Sequence, residues 1–134
     1  MCFDYPPGII RDIALAYAAD GSKSVPHGDV IRVPTAEVLA YRKFPRTRAR
    51  ALAPGRVRNR TQEDVAAGHA KWDELVRSMR EEGFRESEPV EFMIGKQWPL
   101  RLHQGHHRVG VADLLGISPI PVRIWYAELW RAAR

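Results

Sequence analysis

Apolar residues at Ile9, Ile10, Ile13 and Tyr17 recur at three- and four-residue intervals after Pro6-Pro7-Gly8, which predicts an N-terminal helix closing near Ala19, before Asp20-Gly21. The polar run from Gly21 to Gly28 breaks that period. Val30-Ile31-Arg32-Val33 then reads as a short β-branched strand stopped by Pro34, and Thr35 is placed to cap a helix from Ala36 to Arg42. Thr61-Gln62-Glu63-Asp64 has the form of a capping box, and Val65, Trp72, Leu75, Val76 and Met79 follow at helical spacing. A helix is predicted over Gln62 to Glu82, with a bend at Gly68 and a stop at Gly83. Pro89 to Ile94 and Pro99 to His103, on either side of Gly95-Lys96-Gln97, predict a hairpin. Gly105 opens another helical pattern that Gly116 ends, Ile120 to Trp125 is a strand with Pro121 near its start, and Ala127 to Arg134 has room for one or two helical turns.

One segment departs from this regular alternation. Between Arg42 and Arg60 the chain carries eight basic residues and no acidic one, interrupted by Pro45, Pro54 and Gly55, and little periodicity. It reads as an irregular arm that supplies the excess behind the net charge of +5. Arg46, Arg48, Arg50, Arg56, Arg58 and Arg60 suit contacts to the phosphates of DNA, or to an acidic protein partner. Glu81, Glu82, Glu86, Glu88 and Glu91 form an opposing acidic cluster. At 134 residues, 45% apolar and 28% charged, the chain is expected to form a single globular domain. The longest apolar run, Ile13 to Ala19, is far too short to span a bilayer, and no secretory signal is legible in Met1 to Pro7. The lone Cys2 excludes an intramolecular disulfide or a multi-cysteine metal site, so a cytoplasmic protein with no membrane association is expected.

The most specific signal is an order of elements: a helix ending at Gly83, a strand from Pro89-Val90, the turn Gly105-His106-His107-Arg108, a helix from Ala112 to Gly116, and Ile120-Pro121-Val122. This order resembles the ParB/sulfiredoxin-like superfamily, in particular its ParB-like nuclease domain, over roughly Val30 to Trp125. The resemblance is strongest from Trp72 onward. It implies an α/β (α+β) fold, a small mixed sheet flanked by helices. Residues 1–29 would then be an N-terminal helix and linker, 30–125 the domain including the arm at 42–60, and 126–134 a C-terminal tail. It further implies binding of nucleic acid or of a nucleoside triphosphate such as CTP or ATP, with Mg²⁺-assisted hydrolysis of a phosphodiester or phosphoanhydride as the associated chemistry.

The turn supports a phosphate reading on its own chemistry. A glycine before a helix lets a ligand approach the backbone, the first helical amides are unpaired donors at the positive end of the dipole, and Arg108 adds a forked cation. The expected phosphate site is therefore Gln104, Gly105, His106, His107 and Arg108, with His107 to donate or relay a proton and Glu88, at the strand entrance, to hold Mg²⁺. His103 is expected to be structural, and Trp72 to lie in the core.

Three departures from the family matter. His106 stands where sulfiredoxins have their catalytic cysteine, so sulfinic-acid reduction is not expected. Gln104 stands where free-serine kinases and many ParB-like nucleases have an acidic residue, which weakens the analogy to catalysis. Chromosome-segregation relatives continue into a helix-turn-helix and a dimerisation domain, so a complete partition protein is not expected from these residues. The alternative is an interaction protein, of a phage or mobile-element type, that keeps the fold without the chemistry and uses the basic arm on an acidic host protein.

Overall fold

Where each helix begins and ends follows from a few residues at its boundaries. The computed structural model describes residues 8–41, 61–96 and 100–132; the six arm arginines assigned to phosphate lie outside them. The elements in chain order are α1 (Ile9–Asp20), β1 (Val30–Val33), α2 (Thr35–Leu39), α3 (Gln62–Glu82), β2 (Val90–Ile94), β3 (Arg101–Gln104), α4 (His106–Leu115), β4 (Ile120–Tyr126) and α5 (Ala127–Ala132). The capping box at α3 forms as expected: the Thr61 hydroxyl accepts the Asp64 amide and the Asp64 carboxylate accepts the Thr61 amide, both at 3.1 Å. α3 continues unbroken through Gly68.

The expectation for α2 needs correcting. Pro34 is its N-cap, Thr35 is its first helical residue, and it ends at Leu39 rather than Arg42. The Thr35 hydroxyl is used over a long sequence distance instead, donating to the Ile117 carbonyl at 2.5 Å while the Thr35 amide donates to Ser118 Oγ at 3.1 Å. Tertiary pairing of a buried hydroxyl has displaced local capping. β3 likewise sits later than expected, running to Gln104.

The four strands form one mixed sheet in the order β1-β4-β2-β3. β2 and β4 run parallel at its centre, and the two outer pairs are antiparallel. A mixed α+β architecture with a small sheet flanked by helices is therefore observed. Ile31, Val33, Val90, Phe92, Ile94, Leu102, Ile120, Val122, Ile124 and Tyr126 form one wholly buried set of strand positions. Ile10, Ile13 and Tyr17 of α1, Trp72 and Met79 of α3, and Val109, Val111 and Ala112 of α4 complete the same core. Burial of side chains of this size favours folding by about 1.5–3 kcal/mol each before entropy is counted. The N-terminal helix is thus an integral part of the core. The Glu37 carboxylate of α2 ties it down by accepting the Gly8 and Ile10 amides at 2.9 and 3.1 Å, in place of a local cap. No helix among the described residues is long and apolar enough to cross a membrane.

Candidate functional site

β3 delivers the chain into α4 through one residue, and the backbone there leaves no choice of side chain. Gly105 has φ +97°, in the left-handed region, and a Cβ on it would stand 3.2 Å from Val90 Cα and 3.1 Å from the Arg108 guanidinium. Tight packing against the start of β2 therefore accompanies the sharp turn. Gly105 is the α4 N-cap and, having no side chain, makes no side-chain cap bond, so the positive end of the helix dipole faces the turn.

Arg108 lies in the first turn of α4 and is about three-quarters buried. Its Nη2 donates to the Pro89 carbonyl at 3.3 Å, and its Nη1 lies 3.9 Å from a Glu88 carboxylate oxygen. The turn, the strand entrance at Glu88-Pro89 and the end of α3 are thereby brought together. They enclose a pocket of about 40 Å³, whose apolar side is Leu75, Met79 and Phe84 and whose polar side includes Ser78, Glu88 and Arg108. That is room for about one water molecule, so a nucleotide would have to lie outside it, over the turn.

The other expected residues divide. Gln104 is exposed, opposite Glu91 in the sheet register. His106 is half-buried, and the exposed His107 packs edge-on to Trp72, with 6.2 Å between ring centroids. Trp72 is buried as expected. His103 is half-buried, with its ring 5.4 Å from that of Trp130.

The acidic cluster is dispersed by partners that sequence alone did not indicate. Glu82 pairs with Arg85, Glu81 with Arg77, and Glu86 with Arg32 at 3.2 Å. Glu91 accepts the indole N–H of Trp125 at 2.6 Å. Among these five glutamates, only Glu88 reaches Arg108. Among the described residues no three His, Cys, Asp or Glu side chains come together in a metal-binding group. The residues at the turn do not fit a magnesium ion held by protein alone; Glu88 would supply one oxygen to an ion brought in by phosphate.

The part of Pro89 in this site was also not read from sequence: its carbonyl, fixed at the strand entrance, orients Arg108. Compared with protein-family models, with curated proteins and with solved structures, the chain matches none of them.

Proposed function

We propose that the Gly105–Arg108 turn binds the phosphate of a nucleotide or nucleic acid, in a domain of the ParB/sulfiredoxin type. The observation that carries this reading is the N-terminus of α4 behind a left-handed glycine that brings no side chain over it, with a guanidinium in the first helical turn. A basic residue there opposes the helix dipole, and a bound anion offsets that repulsion. The amides would hold one phosphate oxygen, and Arg108 would swing partly from Pro89 to hold another. In a hydrolytic version His107 would relay a proton and Glu88 would contribute to a phosphate-borne Mg²⁺. The arm arginines would grip a nucleic-acid backbone.

The test is a thermal-shift panel of CTP, ATP, GTP, ADP and a short DNA duplex, each with and without Mg²⁺, on the wild type and Arg108→Ala. A ligand at about 100 times its Kd adds about 2.7 kcal/mol, roughly ten degrees in a domain of this size. A shift in the wild type that is absent from a folded Arg108→Ala protein is the expected result. No shift with any ligand would overturn the reading.

A second reading has its own support. Arg108 is already engaged by Pro89 and Glu88 within the chain, and Gln104 replaces a carboxylate at the turn. A protein that retains the fold without catalysis, and binds an acidic protein through its arm, would be expected to show salt-sensitive protein binding that nucleotides do not compete.

A further inference from the structure

Among the described residues, the strand positions outside the apolar core set are mostly half-buried or exposed, and they form two ordered rows. The register aligns Val30, Arg123, Glu91 and Gln104 across all four strands, β1-β4-β2-β3. One step along the strands it aligns Trp125, Met93 and Arg101 across β4, β2 and β3. Arg101 and Gln104 are exposed, while Val30, Glu91, Arg123 and Trp125 are half-buried; Met93 is buried between Trp125 and Arg101 in its row. On β1, β2 and β4 these positions alternate with the apolar set that fills the core; in β3 Arg101 does so with Leu102, and a register shift between Glu91 and Phe92 brings Gln104 opposite Glu91.

At the centre of this face is a fixed stack. The Trp125 indole is held by its bond to Glu91 at 2.6 Å and by the ring of His27, 5.0 Å away and edge-on. The Arg123 guanidinium lies over the indole, 5.5 Å from the ring centroid. The Glu91 charge is thereby occupied by an indole donor and flanked by an arginine in the register. Arg101, two strands from Arg123, makes no ion pair with a described carboxylate. Gln104 adds an exposed amide that can both donate and accept.

We propose that this sheet face binds a single strand of nucleic acid. Arg101 and Arg123 take the backbone phosphates, a base stacks on the Arg123–Trp125 pair, and Gln104 hydrogen-bonds a base edge. Positive charge beside a rigid aromatic platform on central strands suits unpaired bases, which a duplex keeps stacked on one another. The inference uses neither Arg108 nor the α4 amides and stands or falls apart from them.

The experiment is fluorescence anisotropy of the full chain with a labelled twelve-nucleotide oligo(dT) and a duplex of equal length, over a salt series. The expected result is single-strand binding at least tenfold tighter than duplex binding. Arg101→Ala with Arg123→Ala should weaken it at least tenfold and reduce the salt slope by about 1.4, at about 0.7 per lost phosphate contact. Arg77→Ala, on the exposed side of α3 where it pairs with Glu74 and Glu81, should change it less than twofold. If the double variant does not fold, the exposed Arg101→Ala alone should weaken binding several-fold. Absence of single-strand binding, equal or tighter duplex binding, or unchanged affinity in a folded Arg101 variant would overturn the proposal. So would loss of binding in Arg108→Ala alone, which would assign the strand to the turn.

Discussion

Gly105 lies so close to Val90 that a Cβ at 105 would stand 3.2 Å from the Val90 Cα and 3.3 Å from its Cγ2, tighter than ordinary side-chain packing. Gly105→Ala therefore combines a left-handed backbone with a clash against β2. A loss of about 1–3 kcal/mol in urea unfolding is expected from the backbone conformation alone. The same measurement on Gly116→Ala isolates the conformational part, because a Cβ there meets nothing within 4 Å at a similarly positive φ.

Glu37→Ala should loosen α1 from the rest of the core. It removes two acceptors from backbone amides at Gly8 and Ile10, each bonded to a carboxylate oxygen. Hydrogen bonds to a charged group contribute about 1.5–3 kcal/mol. Faster amide exchange across Ile9–Asp20 is expected, with exchange in β4 much less affected.

Stability should fall below neutral pH through His27. Its Nδ1 accepts the Tyr126 amide at 3.1 Å, which requires an unprotonated nitrogen, and burial, aided by Lys23, pushes its pKa below the usual histidine value. The associated stability is present above the unfolded pKa of about 6.5. It is lost as pH falls from there through the lower folded value, because the unfolded chain takes up the proton first. His27→Ala should be less stable at pH 7.5 and show a smaller further decrease by pH 5, as read from urea midpoints.

Alkaline pH should act through Tyr17. Its buried ring lies 4.6 Å from that of Tyr126, and its hydroxyl donates to Glu128 at 2.9 Å. Burial, reinforced by the Glu128 bond and charge, pushes its pKa up to about 12. The unfolded tyrosine ionises near 10, so stability is lost as pH rises from about 10 toward 12. Absorbance titration should show a late-ionising phenol that is absent from Tyr17→Phe.

The elements whose limits depend on neighbouring residues were legible in the sequence. β1 and α3 have the expected bounds, the Thr61–Asp64 box forms, and Gly83, Gly105 and Gly116 stand at the expected helix ends. These signals work over a few residues, where propensity and capping dominate. Partners chosen by the tertiary arrangement were not legible. Thr35 turned from a cap to Ile117, Glu86 to Arg32 and Glu91 to Trp125, in each case because strand order brings distant segments together. The candidate site was half legible: the turn and Glu88 were read correctly as neighbours, whereas the Pro89 carbonyl that orients Arg108 follows from backbone packing alone.

The place of β4 between β1 and β2 has a consequence for how the chain acquires its structure. Among the described residues β1 pairs with β4 alone, and β2 has its other partner in β3. During synthesis Val30–Val33 must wait without a sheet partner while almost ninety further residues emerge, as the register of Val33 with Ile120 requires. Of the described strand pairs, the β2–β3 hairpin alone can close before β4 emerges. The arrival of Ile120–Tyr126 then joins both halves of the sheet in one step, so a nascent chain stopped at Gly116 is expected to be protease-sensitive throughout, and one extended past Tyr126 to be resistant.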